Sequence, residues 1–454
     1  MYGNQWSTAM RVDSFRTPGL GDQTYLWTHE GTGVLVDPQR DVDRFLAVAD
    51  ERDVEVRFVL ETHLHNDYVS GGVEAARRTG AELVLPAAAA PAYDHVPAFH
   101  REEIAGHGFA IRPLHTPGHT PEHTSYVVLV DGAPVAVFSG GSLLVASAGR
   151  PDLLGWARAR SLGKLQFTSV RRLAELPDDV ALYPTHGEGS FCTASNAGRY
   201  TSTIGDERRT NPVLQVDNAD AMADLLLARP MPIPSFYAHM GPSNTLGVPD
   251  MRSPAVPTMS VAALELLPDD TRVVDIRPRS AQADGLLPGS LAIELTDDFG
   301  SWVGWLTAHD APIVLVAGPD DDVDEAVTQL ARIGVDDVRG VIRDLSGAQL
   351  EGFTLLDLDA FVADLGVDAQ LLDVRMPSER EDQPLPGAHE RFLPDLVTDG
   401  LPAGIDAGRP VHVVCGSGRR AVIAASVLTA SGVAAVVLDR DGAAELVDRL
   451  AVAA

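Results

Sequence analysis

The stretch Thr62-His63-Leu64-His65-Asn66-Asp67-Tyr68 sets two imidazoles and a carboxylate at alternate positions. Zinc and iron accept both kinds of donor. The apolar run VEVRFVL leads into it, and Ser70-Gly71-Gly72 precede a segment of helical spacing. Alternate side chains of a strand share a face, so His63, His65 and Asp67 are expected to converge just past the strand end. A second constellation, LHTPGHTPEHTSY over residues 114–126, spaces His115, His119 and His123 four apart. Pro117 and Pro121 disfavour one continuous helix there, and the Pro117-Gly118 turn presents His119 from a loop. In a third, YPTHGEGSF at residues 183–191, His186 follows an apolar segment and sits among turn-forming glycines. Three strand-to-loop exits, each carrying histidine, point to a metal centre with His63, His65, Asp67, His119 and His186 as candidate ligands.

The elements that must position these groups alternate in type. TYLWTHEGTGVLVDP reads as a hairpin turning at residues 30–33, RDVDRFLAVADERD as a helix and VEVRFVL as a buried strand. A helix (VEAARRTG), a strand (AELVL), an irregular stretch to about residue 105 and the strand YVVLV follow. Strands separated by helices and loops indicate an α/β or layered α/β/α domain. Residues 206–258, with one helical piece and the turn-rich GPSNTLGVPDMRSPAVP, read as a connector, with a domain boundary near 255.

Beyond it the chain repeats. Asp275 of VVDIRP matches Asp373 of LLDVRMP, Pro288-Gly289-Ser290 matches Pro386-Gly387-Ala388, and Ala317 matches Cys415, an offset of 98 residues each time (275 to 373, 288 to 386, 317 to 415). Each copy alternates strands and helices. Cys415 opens a strand–loop–helix segment, CGSGRRAVIAASVLTASG. The loop Gly416-Ser417-Gly418 can turn backbone N–H groups toward the thiol, and Arg419 and Arg420 add positive charge. That setting favours thiolate, and suits a nucleophile. The first copy has Ala317 followed by GPDDD, without nucleophile or cations, and reads as structural. Cys192 reads as a small buried hydrophobe.

At 454 residues the chain has room for roughly three domains. Its formal charge of −29 argues against nucleic acid or anionic membrane as a partner. Lys164 is the single lysine. Two cysteines make no disulfide framework, no basic-then-apolar leader opens the chain, and no apolar run reaches membrane length, so a cytoplasmic compartment is expected.

The order THLHND, TPGHT, PTHGEGS resembles the metallo-β-lactamase fold over residues 10–205. Within it, the sequence is most similar to persulfide dioxygenases fused to rhodanese domains. GRPDLLG at residues 149–155 resembles their Gly-Arg-Thr-Asp segment, which makes Arg150 and Asp152 candidates for substrate-side or structural polar contacts. The two C-terminal copies resemble the rhodanese fold over residues 259–350 and 357–454, with Cys415 as nucleophile and Gly416, Ser417, Gly418, Arg419 and Arg420 as its anion cradle. The resemblance implies an α/β class: an αββα sandwich with metal at one edge between two sheets, then two rhodanese-like domains. It also implies one iron(II) per chain and conversion of a small-molecule thiol persulfide to sulfite and thiol. The histidine count equally allows zinc, and a homo-oligomer is compatible. The chain departs from the family's pattern twice, with Tyr68 in place of a histidine and, in FSGGS, Gly141 in place of the metal-binding aspartate. Both departures weaken a two-metal hydrolase. They leave His63 and His119, with His65 or Asp67 as a third ligand. The alternatives are a metal-dependent thioester hydrolase of glyoxalase II type and a sulfur-carrier module with a degenerate metal site.

Overall fold

The computed structural model describes residues 10–187, 189–192, 198–251, 255–366 and 368–453. Two compact units are present, one of Met1–Arg252 with Ala331–Gly334 and one of Ser253–Leu330 with Val335–Ala454.

In the first unit two six-stranded sheets face each other. The first holds β1 (Met10–Thr17), β2 (Asp22–His29), β3 (Thr32–Val36), β4 (Glu55–Leu60), β5 (Glu82–Pro86) and β6 (Val96–Ala98) in that order. The second holds β7 (Ile104–Ala105), β8 (Phe109–His115), β9 (Thr124–Val130), β10 (Ala133–Gly140), β11 (Ala181–Pro184) and β12 (Ser202–Thr203), in the order β12 to β7. The expected hairpin is β2–β3. Its turn is tighter than residues 30–33, since His29 pairs with Thr32 and only Glu30 and Gly31 lie between, both at positive φ. Short strands β6 and β7 occupy the stretch read as irregular.

Strict alternation divides the side chains of these strands between two interiors. Tyr25, Trp27, Phe58, Leu60, Ile111, Tyr126 and Phe138 fill the space between the sheets. Their neighbours face outward and are buried too: Leu26, Leu35 and Val59 under the helices Asp43–Glu51 and Gly72–Thr79, and Val127, Leu129 and Val137 under Trp156–Leu173 and Ala219–Leu227. Helices on both outer faces explain why the strands read as continuous apolar runs. The result is a four-layered α/β/β/α sandwich.

Much of the stretch read as a connector is built into this unit. Ala219–Leu227 packs on Trp156–Leu173, where Arg160 and Lys164 pair with Asp220 and Asp224. Tyr237–Leu246 lies against the histidine loop. Residues 252–254, beside the boundary expected near 255, lie outside the described residues.

The second unit contains two parallel sheets. One has β13 (Arg272–Asp275), β14 (Leu291–Ala292), β15 (Ile313–Val316) and β16 (Val338–Ile342) in the order β14-β13-β15-β16. The other has β17 (Thr354–Leu356), β18 (Gln370–Asp373), β19 (His389–Glu390), β20 (Val411–Val414) and β21 (Ala435–Leu438) in the order β17-β21-β20-β18-β19. The repeat is visible at the level of single bonds. Arg277 forks onto Asp275 and reaches Gly285 O, while Arg375 forks onto Asp373 and reaches Gln383 O. Among the described residues no helix is long and apolar enough to cross a membrane.

Candidate metal centre and cysteine loop

Four strands of the first unit, β4, β8, β10 and β11, end at one edge of the sandwich; the loops leaving β4, β8 and β11 carry the histidines, and the one leaving β10 carries Gly141. Bonds between the sheets fix that edge. The Thr124 N–H donates to Thr62 O at 2.8 Å, the Tyr126 hydroxyl to Glu61 O at 2.9 Å and the Tyr25 hydroxyl to Pro184 O at 2.7 Å. There His63, His119 and His186 come together, each with a ring nitrogen within 4.8 Å of the others.

Hydrogen bonding assigns a tautomer to each ring. The Arg150 carbonyl, 2.8 Å from His119 Nδ1, can only accept, so Nδ1 carries the proton and Nε2 a lone pair. That Nε2 is buried and without a partner. The Thr62 hydroxyl donates to Asp37 at 2.8 Å and so accepts from His63 Nδ1 at 2.9 Å. His186 Nδ1 gives its proton to Asp22 at 2.8 Å, with Asp67 at 3.2 Å. Nε2 of His186 then faces Nε2 of His63 at 3.4 Å. Two lone pairs at that distance require a positive charge between them, a proton on His186 or a metal ion in its place.

The electrostatics agree with this assignment. Burial, with His65 and His119 alongside, holds His63 well below its ordinary value, and burial with His186 alongside pushes His119 down to about 3. Both rings are thus neutral near pH 7, the form that binds metal. For His186, Asp67 and Asp22 outweigh burial and raise it to about 9. Burial and the Asp67 carboxylate raise Asp22 to about 8. Residues bonded to the outer ring nitrogens are the usual devices for orienting metal-bound imidazoles. Asp22, Asp37, Thr62 and the Arg150 carbonyl play that part here.

His65 is placed differently from the expectation that it would stand beside His63 and His119 as a third ligand. β4 stops at Leu60, so strand alternation does not extend through residues 62–68. Its Nε2 turns to the Tyr68 hydroxyl at 3.0 Å and to Asp37 and Glu61 at 3.3 Å. These carboxylates outweigh burial and raise His65 well above its ordinary value. Its other nitrogen, with Asp67 and His186, forms a second group of donors. Nδ1 of His65 and Oδ1 of Asp67, 3.9 Å apart, have no hydrogen-bond partner. The cluster as a whole therefore fits metal binding, and with His186 shared it offers the donors of a two-ion centre.

Gly141 shapes the pocket. A Cβ there would lie 2.3 Å from His119 Cδ2, so the imidazole occupies room that a side chain at 141 would need. His123 is structural: its Nε2 accepts the Gly141 N–H at 2.9 Å and its Nδ1 meets Thr116 Oγ1 at 2.9 Å. His115 stays outside, on Pro121 O. Of the two roles expected, substrate-side or structural, the geometry gives Arg150 and Asp152 the structural one. They form a buried two-pronged pair at 2.6 Å, and the remaining Arg150 donors go to the carbonyls of Phe191, Met231 and Pro232. Three further groups sit at the site with no local motif to announce them. Asn244 holds the histidine loop through Ser70 N, His65 O and Tyr68 O, and Cys192 Sγ lies 3.2 Å from Asp67 and 3.8 Å from the Tyr237 hydroxyl. Cys192 is buried as expected, but against polar groups. Glu188 of PTHGEGS lies outside the described residues.

Comparison with known proteins agrees with this geometry. The family profile of the Metallo-beta-lactamase superfamily matches residues 16–186. A probable metallo-hydrolase of Burkholderia pseudomallei is 30% identical over 242 residues, covering 44% of this chain and 80% of its own. The chain belongs to the metallo-β-lactamase superfamily. The hydroxyacylglutathione hydrolase GloC of Haemophilus influenzae is 26% identical over 211 residues, 42% of this chain and 90% of that protein. A crystal structure titled metallo-beta-lactamase, from Staphylococcus aureus, aligns with a TM-score of 0.67 at 27% identity over 74% of this chain and 99% of its own. That span is longer than the superfamily domain and takes in part of the C-terminal half.

In the second unit Cys415 follows β20 and is 1% exposed. Gly416 and Ser417 are exposed, and Gly418, at φ +79°, caps the helix Arg419–Ala430 in a conformation that favours glycine. Of the two expected cations, Arg420 is held by both oxygens of Glu379 at 2.5 and 2.7 Å and also feels the Cys415 thiol. Arg419 is half-exposed and stands 3.6 Å from Asp298. In the first copy the equivalent loop is closed by its own carboxylate, with Asp321 accepting the Gly318 N–H at 2.6 Å.

Proposed function

We propose that this metallo-β-lactamase superfamily member binds one metal ion through His63, His119 and His186 and oxidises a low-molecular-weight thiol persulfide. We propose further that Cys415, in a rhodanese-like C-terminal half, carries sulfane sulfur. The carrying observation is the meeting of three imidazoles with no carboxylate among them, where the Nε2 atoms of His63 and His119 bear lone pairs and that of His186 holds a proton which a metal ion would replace. A two-ion hydrolase needs a carboxylate shared between its ions, and position 141 offers none. A second ion beside His65 and Asp67 would also have to draw on His186, whose Nδ1 is already bonded to Asp22.

In the overall reaction, persulfide, dioxygen and water give thiol, sulfite and protons. The sulfur–sulfur bond breaks, and the electrons lost by sulfur reduce dioxygen. A bound iron(II) ion supplies the redox chemistry that zinc lacks. The protein's part is to hold the three rings in one tautomer through Thr62, the Arg150 carbonyl and Asp22, and to keep the centre dry. Asn244 keeps the loop bearing His63 in register.

The identity to hydroxyacylglutathione hydrolases favours a second reading, thioester hydrolysis at the same centre. An oxygen electrode run on iron-loaded protein with a panel of small persulfides, alongside S-lactoylglutathione, separates the two. Oxygen uptake matched by sulfite is the expected result. Thioester cleavage without oxygen uptake at full iron occupancy transfers the assignment to the hydrolase, and inertness toward both leaves Cys415 as the working residue.

A further inference from the structure

A cavity of about 450 Å3 opens beside the histidine loops of the first unit. Leu64 and Asn66, which alternate with His63, His65 and Asp67, line it, as does Glu122, which stands between His119 and His123. Its other wall belongs to the helix Tyr237–Leu246 and to Leu153 and Leu154, just after the Arg150–Asp152 pair.

Two polar groups in this wall have bonding capacity left. Asn66 is 7% exposed and its amide nitrogen has no partner. Glu122 is 8% exposed. One of its oxygens takes the Leu64 N–H at 3.1 Å and the Thr120 hydroxyl at 2.8 Å, and the other has no partner among the described residues. Around them the wall is apolar, with Leu64, Leu154 and Pro242. Neither lysine nor arginine is among the described lining residues. The only lysine of the chain, Lys164, is paired with Asp220, and Arg150 is consumed by Asp152 and backbone carbonyls.

We propose that this cavity receives the carrier end of the thiol substrate and selects a carrier ending in a hydrogen-bond donor, an ammonium or alcohol, over one bearing carboxylates or phosphates. The proposal rests on the reading of the imidazole centre as the site of a thiol-borne substrate, and holds for persulfide oxidation and thioester hydrolysis alike. An anionic carrier would lose its hydration beside the Glu122 carboxylate with no cation to compensate. An ammonium or hydroxyl meets the open oxygen of Glu122 directly, and the Asn66 amide serves a neutral oxygen of the carrier. Glu122 is then the specificity-determining residue.

The test measures binding rather than turnover, so the chemistry and the carrier preference fail separately. Ligand-observed NMR with S-methylcysteamine and S-methylglutathione is run on wild type, Glu122→Gln and Leu154→Lys. Glutamine keeps the acceptor that holds Leu64 N, and Leu154 is 38% exposed, so the second variant adds a cation without touching the buried network. Wild type is expected to bind the cysteamine derivative about tenfold more tightly. Glu122→Gln should bring the ratio close to one, and Leu154→Lys should shift it toward the glutathione derivative. A wild-type preference for S-methylglutathione, binding of neither compound, or a ratio unmoved in both variants overturns the proposal.

Discussion

Gly141 decides more about this centre than any residue that bears a donor. The sequence comparison suggests that an aspartate there would restore a missing ligand. The geometry argues otherwise, since a Cβ at 141 would come within 2.3 Å of His119 Cδ2 and 2.7 Å of its Cγ. The ring would have to leave the Arg150 carbonyl. Gly141→Asp is therefore expected to lower metal content and to destabilise the protein by about 1–3 kcal/mol, read by elemental analysis and urea unfolding. Full metal content with unchanged stability would show that His119 has room to spare. His63, His119 and His186 were legible from residue type and from their positions at strand exits. His65 stands with Asp67 and His186 in the second group of donors, apart from His119, because the strand alternation that would align it with His63 stops at Leu60. Asp22, Asp37 and Asn244 were not legible at all, because each reaches the site by the folding of a distant segment and has no motif around it.

At the scale of elements, the two C-terminal copies share the order of four parallel strands and the Asp–Arg fork, the second adds β17 at its edge, and they differ in the loop after β15 and β20. One loop presents Cys415 ahead of the helix Arg419–Ala430, while the other has Ala317 and ties Gly318 to Asp321. Sulfur transfer from thiosulfate or a persulfide to an acceptor thiol is accordingly expected to disappear in Cys415→Ser and to persist in Cys192→Ser. Mass spectrometry after persulfide treatment should find the added sulfur on the Cys415 peptide, and sulfur on Cys192 instead would make the second copy a scaffold like the first. Glu379 gives this loop a pH limit. Arg420 outweighs burial and holds the Glu379 carboxyl below its ordinary 4.5. The pair's contribution is thus complete above about pH 4.5 and fades as pH falls through the depressed value. Because Glu379 is 36% exposed, that contribution is about 1 kcal/mol or less. The urea midpoints of wild type and Glu379→Gln should differ by a constant amount near neutral pH and converge in acid; a gap that widens in acid contradicts the pairing. The repeat was readable because a fixed offset survives divergence. The sealing of the first loop by Asp321 was not, since GPDDD shows lost cations and does not show where a carboxylate turns.

For the whole molecule, composition and charge constrain function only coarsely. The α/β/β/α layering was implied by the family resemblance, while strand and helix alternation alone indicated only an α/β or layered α/β/α domain, and the packed layers and the superfamily assignment agree with the former. The helical segments of 206–251 were underread, because their apolar stripes are short and their packing against Trp156–Leu173 is a tertiary fact. What the chain does as a whole turns on how many ions the first unit holds and through which rings. Elemental analysis of protein purified from iron-supplemented cells, compared with His63→Ala, His119→Ala, His186→Ala and His65→Ala, addresses this most directly. About one ion per chain in wild type and in His65→Ala, with loss in each of the other three variants, is the predicted result. Two ions per chain, or equal metal in His186→Ala and wild type, would contradict the three-imidazole centre.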